Sequence, residues 1–128
     1  MNGSLVDTNV IISFLKGDGE ALRLFDSANG IAVPVIVVGE LFYGANKSVK
    51  VRENLKKFND FLSEYTIVPV NIEVAEAFGK IKSQLAKSGK PIPENDIWIA
   101  AIAKANSMPL ITFDSHFLWI EGLEVVNK

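Results

Sequence analysis

The sequence predicts an α/β domain of three layers, in which helices cover both faces of a central parallel sheet of four to five short strands. Short apolar runs typical of buried strands alternate along the chain with longer segments of helical periodicity. Carboxylates follow two of these runs directly, as expected where ligands gather at the carboxyl ends of parallel strands. The 128 residues suit one hydrophobic core, so we expect a single domain over residues 1–128.

The first strand–helix units follow from two short apolar runs and the residues behind them. Ser4–Val6 is a strand candidate that ends at Asp7, and apolar residues then recur with helical spacing. After a second helical stretch comes a strand over 31–33, and Pro34 opens the helix that carries Glu40. Strand and helix therefore alternate twice in the first part of the chain.

An amphipathic helix and a third unit occupy the middle of the chain. Apolar residues in 51–65 step by four, three, four and three, which predicts a surface helix with one buried face. The run 67–70 is the next strand candidate, and Pro69 favours an edge position because it lacks a backbone donor. The spacing of apolar residues over 74–85 predicts the helix that follows.

The last unit carries two acidic residues at its element boundaries. Asn95 or Asp96 is suited to cap a final long helix. The segment 109–113 then predicts a buried strand ending at Asp114, and a last short strand is predicted over 124–126.

Composition limits the chemistry open to this chain. A net charge of −2 gives no global attraction to nucleic acid, so phosphate binding would depend on local lysines and on metal ions. Because cysteine is absent, any metal must be held by oxygen atoms or by the single His116. Such a donor set favours a hard cation, Mg²⁺ or Mn²⁺.

Hydropathy indicates a non-membrane protein with a protein partner. Hydrophobic residues make up 48% of the chain, which is rich for a small domain and indicates that a second copy or another protein covers some surface. The first residues lack the features of a secretory signal, and no apolar run approaches the length of a membrane helix. We therefore expect a cytoplasmic protein.

Three of the acidic residues have ordinary structural explanations when each is taken alone. Asp7 is a good N-cap for the helix that follows it, and Asp96 suits the terminus and dipole of its own helix. Asp114 is a typical residue for an Asx turn after a strand. None of the three would indicate a functional site by itself.

Glu40 is harder to explain, because the segment 35–43 is apolar on almost every face and contains no lysine or arginine. A carboxylate there must reach solvent, pair with a base or bind a cation, since an uncompensated buried charge costs several kcal/mol. Together with the three aspartates, Glu40 would complete a converging acidic cluster that a divalent cation neutralises. The chemistry we infer is phosphoryl transfer from a polynucleotide.

Four blocks of the sequence resemble the signature blocks of the PIN-domain family, in the same order and with matching spacing. The resemblance extends from residue 5 to Leu123 and is closest to the VapC-like toxins of prokaryotic type II toxin–antitoxin systems. The blocks are Leu5–Asn9, Gly39–Gly44, Asn95–Ala101 and Ile111–Phe117.

The resemblance implies a PIN-like domain with Mg²⁺- or Mn²⁺-dependent endoribonuclease activity, homodimerisation and inhibition by a cognate VapB-like antitoxin. The four residues that match the family's catalytic acids are Asp7, Glu40, Asp96 and Asp114. Among them, Asp7 and Asp96 match the usual metal ligands. The supporting polar positions are Thr8, Asn9 and Thr112, which we expect to orient the carboxylates.

Two segments depart from the family pattern without touching an acid: Phe113 replaces a polar or basic residue, and 119–122 replaces a commoner Ile-Pro-Gly ending. We interpret His116 as a lone surface histidine, because metal-activated water needs no imidazole. The lysines that could guide an RNA backbone are Lys47, Lys50, Lys87 and Lys90.

The residues after the first strand argue against two other enzyme and signalling functions of α/β domains. A haloacid-dehalogenase-like phosphatase needs a second aspartate two residues after the first, where this chain has Asn9. A receiver domain needs an acidic pair after the first strand, where only Asp7 is present. The alternative function we retain is a catalytically silent PIN-fold module that binds RNA or protein.

Overall fold

A five-stranded parallel sheet forms the centre of the computed structural model, which describes residues 3–126. Its strands are β1 (Ser4–Val6), β2 (Ile31–Pro34), β3 (Thr66–Val68), β4 (Leu110–Ile111) and β5 (Val125–Val126). They lie in the order β3-β2-β1-β4-β5, and all neighbours run parallel. Residues 1–2 and 127–128 of the predicted domain lie outside the described residues.

Six α-helices of the described chain flank this sheet, so the predicted α/β architecture with a central parallel sheet is confirmed. They are α1 (Thr8–Leu15), α2 (Gly19–Ser27), α3 (Val35–Asn46), α4 (Val51–Leu62), α5 (Ile72–Lys87) and α6 (Glu94–Ala105). A 3-10 helix, Ser115–Trp119, follows β4. Over residues 3–126, none of the helices combines the length and apolar character needed to cross a membrane.

The strand order creates a topological switch point between β1 and β4. From β1 the chain builds β2 and β3 on one side, and it then returns to place β4 on the other side. Val6 pairs with Ile111, and the Asp7 backbone N–H donates to the Ile111 carbonyl at 2.9 Å. Because ligands of open parallel sheets bind where the strand order reverses, residues just after β1 and β4 are in the expected position for a site.

The core is deepest around β1, β4 and α6. Leu5, Val6 and Leu110 are fully buried, and so are residues 99–103 of α6. Two adjacent apolar strands explain this burial, since central strands of a parallel sheet are covered on both faces. Asp96 lies in the first turn of this buried helix.

Proline sets two element boundaries that differ from the predicted ones. The prediction that Asn95 or Asp96 caps the last long helix is wrong: Pro93 precedes the first helical residue, and Asp96 lies within the first turn. Proline has a suitable fixed φ and no N–H to satisfy, so a helix starts readily beside it. The third strand lies at the sheet edge as predicted, but it ends at Val68, before Pro69.

Candidate active site

Asp7 is the most buried acidic residue at the switch point, with 6% of its surface exposed. It caps α1, because its Oδ1 accepts a hydrogen bond of 2.8 Å from the Thr8 backbone N–H. Its Oδ2 accepts a bond of 2.8 Å from the Thr112 hydroxyl. The capping role expected from the sequence therefore coexists with a second contact, made across the sheet.

Burial raises the pKa of Asp7 from 3.8 to about 6. The hydrogen bonds from Thr112 and Thr8 oppose this rise because they stabilise the carboxylate, whereas the nearby charges of Asp96 and Glu40 add to it. The carboxyl group is thus held among other acids in a position where its negative charge is poorly compensated.

Glu40 extends from α3 towards the same point and is half-buried. The Thr8 hydroxyl donates to Glu40 Oε1, and the Asn95 amide donates to Oε2 at 3.3 Å. Glu40 is therefore tied to the first turns of α1 and α6. Asn95 was not among the predicted site residues, although it directly precedes Asp96 in the sequence. Asn9 lies exposed on α1.

His116 bridges two of the predicted acids, so its interpretation as a lone surface histidine is wrong. Its Nε2 lies 2.9 Å from Asp96 Oδ2, and its Nδ1 lies 2.9 Å from Asp114 Oδ1. The side chain is only 21% exposed. Asp114 positions the ring, because its Oδ1 also accepts the His116 backbone N–H at 3.2 Å, in the predicted Asx-turn geometry.

The pKa of Asp96 is raised above its usual value, chiefly because the side chain is partly buried. The hydrogen bond and charge of His116 oppose this rise, and the charges of Glu40 and Asp114 increase it. Asp96 therefore experiences the same competition between burial, hydrogen bonding and repulsion as Asp7.

Hydrogen bonds join all four predicted acids into one network, which we call the acidic network. Thr112 links Asp7 to Asp114, since its hydroxyl oxygen also accepts the Asp114 backbone N–H at 3.0 Å. Thr8 links Asp7 to Glu40. The imidazole of His116 completes the network to Asp96. The members are Asp7, Thr8, Glu40, Asp96, Thr112, Asp114 and His116.

The donor chemistry of the acidic network fits a hard divalent cation. Ligand atoms of Asp96, Asp114 and His116 lie within 4.8 Å of one another. Within residues 3–126, no lysine or arginine forms an ion pair with any of the four acids. Carboxylate oxygens are preferred ligands of Mg²⁺, and a bound cation would offset both the burial and the repulsion that raise the pKa of Asp7 and Asp96.

The chain matches a known protein family over nearly all of the described residues. The PIN domain model matches residues 4–122. The chain belongs to the PIN-domain family. It is 41% identical over 110 residues to ribonuclease VapC2 of Haemophilus influenzae, covering 84% of this chain and 83% of that protein. It is also 29% identical over 124 residues to the tRNA(fMet)-specific endonuclease VapC of Salmonella typhimurium, with 94% of each chain covered.

Solved structures agree with this assignment. The crystal structure of VapBC2 from Rickettsia felis, bound to a DNA fragment from its promoter, contains a chain that superposes with a TM-score of 0.89. The two chains are 30% identical, and 98% of each is covered. The chain is thus a VapC-type ribonuclease toxin, which confirms the resemblance inferred from the four sequence blocks.

Proposed function

We propose that this chain hydrolyses RNA phosphodiester bonds with the help of Mg²⁺ or Mn²⁺ held by the acidic network. The catalytic residues in this proposal are Asp7, Glu40, Asp96 and Asp114. The observation that carries it is the convergence of four carboxylates, from four different elements, on one switch point without a compensating lysine or arginine in the described chain. Acids held together in this way are destabilising unless a cation joins them.

Asp7 and Asp96 are the residues we assign as metal ligands. Each oxygen of Asp7 accepts one hydrogen bond, which leaves a further lone pair for a cation. A divalent ion held by these two residues would supply an activated water and would stabilise negative charge on the phosphoryl oxygens. Thr8 and Thr112 keep the carboxylates in fixed orientations, as partners of metal ligands generally do.

Glu40, Asp114 and His116 organise the rest of the site. Glu40 is held from two sides by Thr8 and Asn95, so its carboxylate keeps one orientation beside Asp7. His116 fixes the separation of Asp96 and Asp114, because each ring nitrogen contacts one of them. An open cavity of about 370 Å³ is lined by Glu40, by other residues of α3 and by Asn95, so this side of the site has room for a ligand.

We further propose that the chain works as one domain over residues 1–128, as a homodimer in the cytoplasm that a VapB-like antitoxin inhibits. The Rickettsia felis relative was solved as a VapBC complex, which supports an antitoxin partner. Exposed apolar side chains, including Tyr43 and Ile72, support contacts with another chain. Light scattering of the purified protein, with and without a co-expressed antitoxin, would measure both associations.

The decisive experiment is RNA cleavage by antitoxin-free protein with Mg²⁺, with Mn²⁺ and with EDTA. The panel should include tRNA(fMet), because the Salmonella typhimurium relative is named for that substrate. We expect cleavage with either metal, none with EDTA and none by Asp7→Asn or Asp96→Asn. Asp26→Asn, an exposed acid on α2, is the matched control and should cut normally.

A folded wild-type protein that cuts no RNA with either metal would contradict the proposed activity. The alternative, a catalytically silent PIN-fold module that binds RNA or protein, would then be favoured. Circular dichroism on the same samples separates this outcome from simple unfolding.

A further inference from the structure

We propose that Trp119 is a stacking platform for an unpaired RNA base beside the cleavage site, and that Lys90 holds the backbone of the same strand. Both roles rest on the proposed function. Trp119 ends the 3-10 helix that carries His116. Its ring centre lies 6.2 Å from that of His116, whose nitrogens contact Asp96 and Asp114. An indole is therefore adjacent to the acidic network.

The Trp119 ring is accessible, with 43% of the residue exposed. The chain's other tryptophan, Trp98, is instead half-buried and stacks on Phe78 with ring centres 3.9 Å apart. Tryptophan has a large apolar surface that is normally covered in a folded domain or at an interface. Exposure at the edge of a nuclease site gives this ring a surface on which a base can stack.

The backbone around Trp119 is fixed. Gln84 on α5 donates its amide to the Trp119 carbonyl at 3.3 Å and accepts the Glu121 N–H at 3.3 Å. Both ends of the turn after the 3-10 helix are thereby attached to one side chain. The turn that carries Trp119 is thus ordered before RNA binds, which lowers the entropy lost on binding.

A cation accompanies the ring, as nucleotide binding requires. Lys90 Nζ lies 5.6 Å from the centre of the Trp119 ring. Lys90 belongs to the segment between α5 and α6, and its N–H donates to the Leu85 carbonyl at 3.0 Å, which anchors the backbone. Binding sites for single-stranded nucleic acid combine stacking rings with positive charges that follow the phosphates. Trp119 and Lys90 form such a pair.

An open groove of about 960 Å³ lies along α5, and its lining includes Gln84 and Glu121, which are hydrogen-bonded to each other in the turn that follows Trp119. Lys80 and Lys87 supply positive charge there, while Glu121 and Glu76 on the same lining oppose it. The groove gives flanking nucleotides a path away from Trp119. Because these charges balance and the chain's net charge is −2, the groove adds space for a strand, and Lys90 supplies the positive charge beside the ring.

Binding of homopolymeric single-stranded oligoribonucleotides, measured by fluorescence anisotropy, tests the stacking role. The Asp7→Asn chain should be used, so that no RNA is cut during the measurement. Adding Trp119→Ala should weaken binding roughly 5- to 150-fold, as for loss of one stacked base. Trp119→Phe keeps an aromatic ring and should lose much less affinity. Leu118→Ala, at the exposed neighbouring position, is the matched control and should bind normally.

Lys90→Gln tests the backbone contact separately. Each phosphate contact on a single strand contributes a slope of about −0.7 in a plot of log affinity against log salt. The slope measured for Lys90→Gln should therefore be less steep by about 0.7, and its binding at high salt should equal that of the parent. An unchanged slope would overturn the role of Lys90.

Trp119→Ala with unchanged affinity for single strands would overturn the stacking role, and so would an equal loss for double-stranded RNA. Loss of self-association in light scattering, with RNA affinity unchanged, would assign the ring to a protein contact and would also overturn it. The proposed function is judged independently, by metal-dependent cutting of the wild type. Weakened binding by Trp119→Ala next to an inert wild type would support the platform and contradict the nuclease.

Discussion

The Thr112 hydroxyl donates a buried hydrogen bond of 2.8 Å to Asp7, a residue 105 positions earlier in the chain. The two residues follow β4 and β1, which pair in parallel at the switch point. The same hydroxyl oxygen accepts the Asp114 N–H at 3.0 Å. One small side chain therefore orients one acid directly and the backbone of another, and its removal should affect both.

Thr112→Val should move the acidic limb of the pH–rate profile to higher pH. The hydrogen bond from Thr112 holds the pKa of Asp7 down, so its loss raises that pKa further, and the ionised form needed for metal binding appears only at higher pH. Leaving Asp7 and the Asp114 N–H short of a partner should also cost about 1–3 kcal/mol of stability. Thr112→Ser keeps the hydroxyl and is the control. A profile identical to that of the wild type would contradict this role.

Metal-free Asp7→Asn should be more stable than the wild type above about pH 6. In the wild type the folded state keeps the Asp7 proton between pH 3.8 and about 6, while the unfolded chain has lost it. Stability therefore falls as pH rises through this window and stays lower above it, by about 3 kcal/mol for the whole difference in pKa. Asparagine carries no charge, so the variant should not lose stability as pH rises through this window. Urea unfolding in EDTA at a series of pH values measures the free energy of unfolding of both proteins.

Adding excess Mg²⁺ to the same samples should make the wild type more stable than Asp7→Asn. A cation that binds only the folded state stabilises the wild type in proportion to the logarithm of its concentration, whereas Asp7→Asn lacks a charged ligand and should gain little. Equal stabilisation of both proteins would contradict the assignment of Asp7 as a ligand. Asp26→Asn, outside the acidic network, should follow the wild type throughout.

His116→Ala should lower metal affinity or turnover by roughly 10- to 100-fold, as is usual when a group that orients metal-binding residues is removed. The reason is geometric: Asp96 and Asp114 lose the ring that holds both of them at 2.9 Å. The effect should appear in kcat and in metal titrations, with the KM for RNA little changed. His116→Gln retains one hydrogen-bonding group and should recover part of the loss. No recovery, with a raised KM, would indicate general damage instead of lost positioning.

Glu40→Gln should lower the pKa of Asp7 and of Asp96. The charge of Glu40 raises both, and glutamine removes that charge while keeping an oxygen for the Thr8 hydroxyl. Carbon NMR of the aspartate carboxyl groups in metal-free protein measures the titrations. Glu20→Gln on α2 is a control outside the acidic network. Unchanged pKa values in Glu40→Gln would show that the charge of Glu40 contributes to neither of them.

Neighbouring residues alone were sufficient to predict where the strands lie and which acids follow them. Asp7 and Asp114 follow short apolar runs, so their positions after β1 and β4 could be predicted from periodicity and strand chemistry. The strand β4 is nevertheless shorter than the predicted 109–113, because apolar character records burial and not strand pairing. Element ends set by hydrogen bonding between strands are not encoded in hydropathy.

The contacts of His116 and Asn95 could not be predicted, because they depend on where separate elements meet. His116 is local to Asp114, but its approach to Asp96 depends on the packing of α6 beside the 3-10 helix. Asn95 reaches Glu40 across 55 positions of sequence. Conversely, the start of α6 is encoded locally by Pro93, since proline favours the beginning of a helix, and Asn95 and Asp96 lie inside the first turn.

The pairing of β1 with β4 also determines when during synthesis the chain can become harmful. Asp7 is made early, but Thr112, Asp114 and His116 are added only after β4. A partly translated chain on the ribosome therefore lacks the Thr112 contact to Asp7 and the His116 contact to Asp96. Pairings between distant segments form late, because the intervening chain must first be ordered. A nascent toxin of this topology is thus expected to stay inert beside the ribosome's own RNA until almost all of the residues described here have emerged.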